Sequence, residues 1–379
     1  MAATLQTIAD ELGISRSTVS NAYSRPDQLS PELREKILET ARRLGYAGPN
    51  PTARSLRRGR VGAIGVLFTD NLTKAFVDPY AVAFLEGLSA AAEQRSTGLL
   101  LVPLSLDDVA GAERALNEAA VDGFCVYCTQ DWRGSLDVIR RRGLPVVTTE
   151  NPAEAGPDSF VVSIDERAAT RSAGEHVTAF GHRRLAIVTD MAVAPEERRR
   201  SRVLAEPSTA DAAQSPSKKP SGLVLLDEPE QIPFYLSRER AIGVRDALVA
   251  AGGSWSDVLV VNAPANSRAA AAVAIADALD REDRATAVLA FSDLMALGVL
   301  DALADRGLRP GRDVSVVGFD DIPEAAGAGL TTVRQPTRDK GRIAGELLLD
   351  TPEDPERRQV VLPTQLIVRS STGPVPRSH

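Results

Sequence analysis

Two cysteines in 379 residues leave no material for a disulfide framework, and the three histidines (His176, His182 and His379) have no spacing that suits a metal ion. No stretch of eighteen apolar residues is present, so no membrane span is expected. The start, MAATLQTIADELG, lacks the cationic opening and apolar run of a secretory signal, and we expect a cytoplasmic protein. There is no GxGxxG turn and no Walker loop; Gly62 and Gly65 in VGAIGVL are wrongly spaced for a dinucleotide turn. No Ser-His-Asp arrangement can be argued, so catalysis has no positive support. Cys125-Val-Tyr-Cys128 is a CxxC, but it lies in the apparent strand GFCVYCT. Residues three apart on a strand face opposite sides, which leaves structural cysteines as the expectation and no metal or cofactor.

What is present is ordinary globular composition with an uneven charge. Hydrophobic residues make up 43% and charged ones 25%, and the length suits two or three domains. Residues 1–60 carry ten Lys/Arg against six Asp/Glu, a net +4, so with −7 overall the remainder carries −11. An acidic body repels nucleic acid, whereas a cationic head attracts it through phosphate neutralisation. The asymmetry points to a DNA-binding module fused to something else.

The head is written at helical spacing. LQTIADELG places Leu5, Ile8, Ala9 and Leu12 on one face, with Gly13 as breaker. ISRSTVSNAYS follows, with Ser15 as N-cap and Ile14, Val19 and Ala22 turned inward. A small residue where two helices cross and a glycine in the turn between them are what a helix-turn-helix needs. A third helix opens with Ser30 as cap and Pro31 in its first position, repeats Leu33, Ile37, Ala41 and Leu44, and closes at Gly45. The second helix is then the recognition helix. It projects Arg16, Ser17 and Asn21 toward base edges, with Thr18, Ser20 and Tyr23 near phosphates. The segment NPTARSLRRGR at 50–60 is a helix of about two turns, marginal alone in water, with four arginines and Leu56. We read it as folding on DNA and wedging Leu56 into a minor-groove step.

In combination, TIADELGISRSTVSNAYSRPDQLSPELREKILETARRLGY and PNPTARSLRRGR resemble the head and hinge of the LacI/GalR family of bacterial repressors. The resemblance implies a dimer reading a palindromic operator, with the hinge leucine intercalated. The DNA-contact set it implies is Thr7, Arg16, Ser17, Thr18, Ser20, Asn21, Tyr23, Ala53, Leu56 and Arg57.

Beyond Arg60, apolar runs alternate with amphipathic helices. Strands are expected at 61–68, 98–102, 122–128, 144–149, 160–164, 185–189, 258–261, 287–291 and 314–318. Helices are expected at 80–95, 109–120, 135–142, 166–180, 237–251, 267–279, 293–306 and 338–349. This predicts parallel sheets wrapped by helices, in two lobes with a ligand crevice at the strands' carboxyl ends. The fold class expected is an all-α helix-turn-helix head plus an α/β body of two Rossmann-like lobes, of the type I periplasmic-binding-protein kind. The family resemblance continues through VVSIDERAATRSAGEHVTAFGHRRLAIVTD, AVLAFSDLMALGVLDALADRGLRPGRDVSVVGFDD, LTTVRQP and LPTQLIVRSST. It implies a head at 1–48, a hinge at 49–60, a first lobe at 61–163 with 333–360, and a second at 164–332 with 361–379. It leaves out roughly 193–235, where 194–221 is too polar to fold and is expected to be a disordered insertion. His182 is expected to be structural.

By the same resemblance the effector contacts are Thr69, Tyr80 and Glu150 from the first lobe and Arg240, Ser292 and Asp320 from the second. Such a mixture suits a polyhydroxylated molecule such as a sugar or nucleoside, while paired charges also suit an amino acid or purine. The function expected is a dimeric (or dimer-of-dimers) regulator, a repressor by resemblance, with double-stranded operator DNA and a small effector as partners. A transport solute-binding protein shares the two-lobed body but needs an export signal and has no use for residues 1–60. A two-lobed enzyme with an acquired head would need a nucleophile or general base in a recognisable motif.

Overall fold

The computed structural model describes residues 3–48, 59–68, 72–104, 108–127, 135–150, 159–194, 222–350, 352 and 354–376. The chain divides into two compact units, one of residues 1–63 with 120–122 and one of 64–119 with 123–379.

The first unit contains α1 (Leu5–Leu12), α2 (Arg16–Ser24) and α3 (Pro31–Arg43). Each begins where a hydroxyl side chain accepts an otherwise orphaned backbone N–H: Thr4 for α1, Ser15 for α2 and Ser30 for α3. Gly13, at φ +64°, ends α1 in the left-handed conformation that a residue with a Cβ resists. Ile8, Ala9, Val19, Ala22, Ile37 and Ala41 form the shared core, with Leu5, Leu12, Ile14, Leu33 and Leu44 packed at its edge. Ala9 and Ala22 are small enough for three short helices to meet closely.

The second unit holds two sheets. The first, in the order β12-β5-β4-β3-β1-β2, joins β1 (Ala63–Phe68), β2 (Gly98–Pro103), β3 (Gly123–Tyr127), β4 (Val146–Thr148), β5 (Phe160–Ile164) and β12 (Gln359–Leu362). The second, in the order β13-β11-β10-β9-β6-β8-β7, joins β6 (Leu185–Thr189), β7 (Leu223–Val224), β8 (Val258–Asn262), β9 (Ala287–Ala290), β10 (Ser315–Asp320), β11 (Thr331–Arg334) and β13 (Gln365–Ile367). Central pairs are parallel, as β1 with β3 and β6 with β9, and the central strands are buried along their length. The antiparallel pairs, β7 with β8 and β13 with β11, lie at the two edges of the second sheet. The chain crosses between the sheets after β5, after β11 and after β12.

All nine expected strands and all eight expected body helices are present, with ends shifted by a few residues. Within the stretch that the family resemblance leaves out, Leu223 and Val224 add a short strand, pairing with Val261 and Val260. Two short helices, Lys74–Val77 and Pro323–Gly327, were not expected. Residues 194–221, read as an insertion, lie outside the described residues except for Ala194.

Two helix pairs set up the site. Helices Pro79–Gln94 and Thr337–Leu349 run side by side so closely that a Cβ on Gly341 would lie 2.0 Å from the Phe84 carbonyl oxygen. Further along, Gly345 faces Ala91, so the two run parallel and their N-terminal turns meet. Helices Glu166–Ala179 and Tyr235–Ala250 do the same: a Cβ on Gly243 would lie 2.3 Å from Thr170 Oγ1, and Gly174 faces Ala247. Glycine is required at these crossings because nothing larger lets the backbones approach. The first pair brings Tyr80 to Lys340, and the second brings Glu166 to Arg240.

Candidate functional site

In the first unit, α2 buries Val19 and Ala22 and leaves Arg16 and Ser17 exposed. Ser17 Oγ lies 2.6 Å from the cap hydroxyl of Ser15, and Thr18 Oγ1 lies 2.8 Å from it, so the first turn presents a row of hydroxyls. Asn21, half-buried, donates from Nδ2 to Gln28 Oε1 at 3.3 Å; Gln28 was not singled out in the sequence. Thr7 is exposed and closes a reciprocal cap with Thr4 at the start of α1. Ser20 is half-buried and its carbonyl accepts from Ser24 Oγ at 2.9 Å. Tyr23 packs edge-on against Tyr46 at 6.0 Å, and burial, then the neighbouring Tyr46, raises its phenol pKa. The ring therefore buttresses the core while Arg16 and Ser17 face solvent. Ala53, Leu56 and Arg57 lie outside the described residues.

In the second unit, a cleft of about 220 Å³ opens where the chain crosses between the sheets. Tyr80, Asp320 and Gln335 share its lining. Tyr80 stands in the first turn of its helix, capped by Asp78, with its ring 5.9 Å from Tyr127. Asp320 ends β10 with φ +120° and Asp321 follows at +59°. Two consecutive non-glycine residues with positive φ are strained, and such strain gathers at ligand sites. Three side chains hold the turn. Asp293, fully buried, accepts the Ile322 N–H at 2.9 Å and the Thr332 hydroxyl at 2.6 Å. Arg334 and Arg369 then clamp Asp321 at 2.7 and 2.6 Å. Asp320 accepts from Gln335 Nε2 at 2.7 Å, and burial, then the neighbouring Asp293, raises its pKa well above the ordinary carboxylate value.

Arg240 is buried. Its Nε donates to Glu166 Oε2 at 2.7 Å, its NH1 donates to the Phe291 carbonyl at 2.5 Å, and its guanidinium lies 3.7 Å over the Phe319 ring. Burial opposes its charge, but Glu166 more than restores it and the net pKa is raised. Ser292 caps the helix Asp293–Ala304, accepting from Met295 N, and bonds Asn266 at 2.6 Å. It is not among the residues that line the cleft. Glu150 is half-buried and acts electrostatically on Lys340. Thr69 lies outside the described residues. So Tyr80 and Asp320 come together, Arg240 acts on both through its charge, and Ser292 caps the helix that follows β9.

The residues missed in the sequence are Glu166, Asp293, Gln335 and Lys340. Three of them carried a readable signal: Glu166, Asp293 and Lys340 each stand among the buried apolar positions of their helix, where a charge needs a reason. Elsewhere, His182 is fully buried and bonds Thr286, Ser315 and the Gly373 carbonyl at 2.9–3.0 Å, fastening the C-terminal segment to the second sheet. Cys125 is buried and its thiol pKa is pushed up by burial; Cys128 lies outside the described residues. Among the described residues no group of three or more His, Cys, Asp or Glu is placed to hold a metal, and no helix is long and apolar enough to cross a membrane.

Residues 222–372 match a family model described as a periplasmic binding protein-like domain. An HTH-type transcriptional regulator of Mycobacterium tuberculosis is 40% identical, covering 98% of this chain and 97% of its own. The crystal structure of a LacI-family transcriptional regulator from Corynebacterium glutamicum is 34% identical with a TM-score of 0.69, covering 98% of this chain and 99% of that one. A complex of the transcriptional regulator CelR with cellobiose is 26% identical with a TM-score of 0.64, covering 97% and 99%.

Proposed function

The chain belongs to the LacI family of DNA-binding, ligand-binding transcriptional regulators, and from that premise we propose that it represses transcription as a homodimer on a palindromic operator, released or held by a small polar effector of the sugar or nucleoside class. The observation that carries this reading is the convergence of Tyr80, Asp320 and Gln335 on one cleft, in a chain whose α2 leaves Arg16 and Ser17 exposed. Convergent polar groups in a crevice at strand ends suit a small molecule with several hydroxyls. The cellobiose held by CelR supports a sugar in particular. One recognition helix reads few base pairs, so two copies on a palindrome supply the affinity and fix the half-site spacing. Phe76, Val77 and Val82, exposed at 66, 67 and 44%, offer apolar surface of the kind a second subunit covers.

In this reading residues 1–48 are the head and 49–60 the hinge. The first lobe is 61–163 with 333–360, the second is 164–332 with 361–379, and 194–221 is an inserted segment. Base contacts fall to Arg16, Ser17 and Asn21, phosphate contacts to Thr18, Ser20, Tyr23 and Arg57, further DNA contacts to Thr7 and Ala53, and the groove wedge to Leu56. Selection of binding sites from random duplexes at moderate salt tests the proposal. We expect a palindrome with two half-sites and affinity that falls steeply as salt rises. A full-length protein without sequence preference sinks the operator reading.

A further inference from the structure

Lys340 is 1% exposed, and it lies in the first turn of the helix Thr337–Leu349. Both facts are unfavourable. A buried ammonium loses its hydration, and the positive end of a helix dipole repels a cation. No carboxylate within ion-pair distance compensates it among the described residues. Its Nζ donates to two neutral oxygens, Tyr80 Oη at 3.1 Å and Gln335 Oε1 at 3.3 Å. Glu166, Glu150 and Asp320 act on it only at longer range, and burial, the larger influence, lowers its pKa. A methionine would fill the same volume at lower cost, so the charge is explained by what it holds.

It holds the orientation of an amide. With Gln335 Oε1 turned to the ammonium, Nε2 faces Asp320 and donates to Oδ1 at 2.7 Å. Flipping the amide would set its oxygen against a carboxylate and its NH2 against an ammonium. Lys340 thus heads two branches, donating to Tyr80 on the first-sheet side of the cleft and, through Gln335, to Asp320 at the end of β10. We propose that Lys340 is a positioning residue that fixes both branches, and that the cleft so arranged selects a neutral molecule bearing vicinal hydroxyls over an anionic one. The proposal rests on the effector-cleft reading above and names its ligand class.

The charge around the cleft supports the class. Of its charged lining groups, Asp321 is paired with Arg334 and Arg369, Arg338 with Glu86, and Asp339 with Arg342. Asp320 has no cation within ion-pair distance among the described residues, and Gln335 accounts for one of its oxygens. An anion entering the cleft meets the acceptor oxygens of Asp320, while the two nearest cations are withdrawn, Lys340 behind Tyr80 and Gln335 and Arg240 in its pair with Glu166. A hydroxyl donates to Asp320 without that repulsion, and an adjacent hydroxyl offers an acceptor to its neighbours.

The test is binding of four probes to the full-length protein by calorimetry and thermal shift: cellobiose and ribose as neutral molecules, gluconate and ribose 5-phosphate as anionic ones. We expect a neutral probe to bind wild type and the anions not to. Lys340→Met should weaken that neutral probe at least tenfold, the size of losing a hydrogen bond to a charged partner. The unliganded Lys340→Met protein should melt at the wild-type temperature or higher, because a buried charge has been replaced by an apolar chain. A merely structural lysine would give the opposite, a lower melting temperature accompanying any loss of binding, and that result overturns the positioning role. Unchanged affinity in Lys340→Met overturns it too, provided that Asp320→Ala abolishes binding and so marks the cleft as the site. Binding of an anion alone, or of none of the four, overturns the neutral-hydroxyl class. Operator selectivity, measured separately, decides the regulator reading independently of these outcomes.

Discussion

Removing the Glu166 carboxylate should cost more stability than any surface ion pair in the molecule. The side chains of Arg240 and Glu166 are only 10 and 4% exposed, so neither regains water when its partner is deleted. Breaking a buried pair from one side costs about 3–5 kcal/mol, because the remaining charge stays buried without compensation. Here the guanidinium keeps the Phe291 carbonyl and the face of Phe319, and Asp320 lies near enough to act on it. That places Glu166→Ala at the low end, about 3 kcal/mol, or roughly 6–12 °C for a lobe of this size. Arg240→Met should lose a similar amount by stranding the carboxylate. The double variant Glu166→Leu with Arg240→Met should recover most of the loss, since exchanging a whole buried pair for apolar volume is often neutral. Thermal unfolding followed by circular dichroism measures all three. A Glu166→Ala protein that melts within a degree of wild type, or a double variant as unstable as the sum of the singles, refutes the reasoning.

Asp293 is pushed up to about 6, chiefly by burial, and Asp320 is raised with it. A folded-state pKa above the unfolded one means that folding takes up protons. The stabilisation is full below about pH 4 and is lost as pH rises through about 6, so wild type should lose stability between about pH 4 and 6 relative to Asp293→Asn, whose amide still accepts from Ile322 and meets the Thr332 hydroxyl. Chemical denaturation at each pH checks this, and parallel curves for the two proteins tell against it. Cys125, buried and with its thiol raised by burial, should resist alkylation in a Cys128→Ser background until denaturant is added; labelling at the native rate of a free thiol speaks against that burial. Leu56→Ala should keep fold and assembly but weaken specific operator binding and bending, because only an apolar wedge offsets the few kcal/mol of unstacking a base step. Unchanged bending removes Leu56 from the mechanism. Deleting 196–219 should leave the melting temperature and operator affinity near wild type, and a collapse of either would make that segment a packed element.

The secondary structure was legible because burial writes itself into sequence at two periods. Runs such as AIGVLF and LAIVT are apolar on both faces and became the central strands β1 and β6. Ser15, Ser30 and Gly13 announced helix ends through chemistry that acts within a few residues, and they occupy those ends. The edge strand β7 was not decided by the same rules, because two residues are too few to set a period. The cleft was legible only in part, for a different reason. Asp320 and Tyr80 stand at strand and helix ends, where polar residues are conspicuous. Glu166 and Asp293 open their helices, where an acidic residue is ordinary and draws no notice, and Lys340 lies among the buried positions of its helix. Yet a charged residue at i, i+3, i+4 spacing with buried alanines and leucines is the more informative observation, since it predicts an ion held out of water. Its partner is what the sequence withholds. Glu166 and Arg240 are 74 positions apart, and Lys340 and Tyr80 are 260 apart. They meet because Gly243 and Gly341 let two helix pairs close to backbone contact. Those glycines sit mid-helix, where they are intrinsically unfavourable by about 1 kcal/mol each. Read together, a mid-helix glycine and a buried charge in the same or the adjoining helix mark both the place of close approach and the group it serves, which turns two local anomalies into one long-range contact.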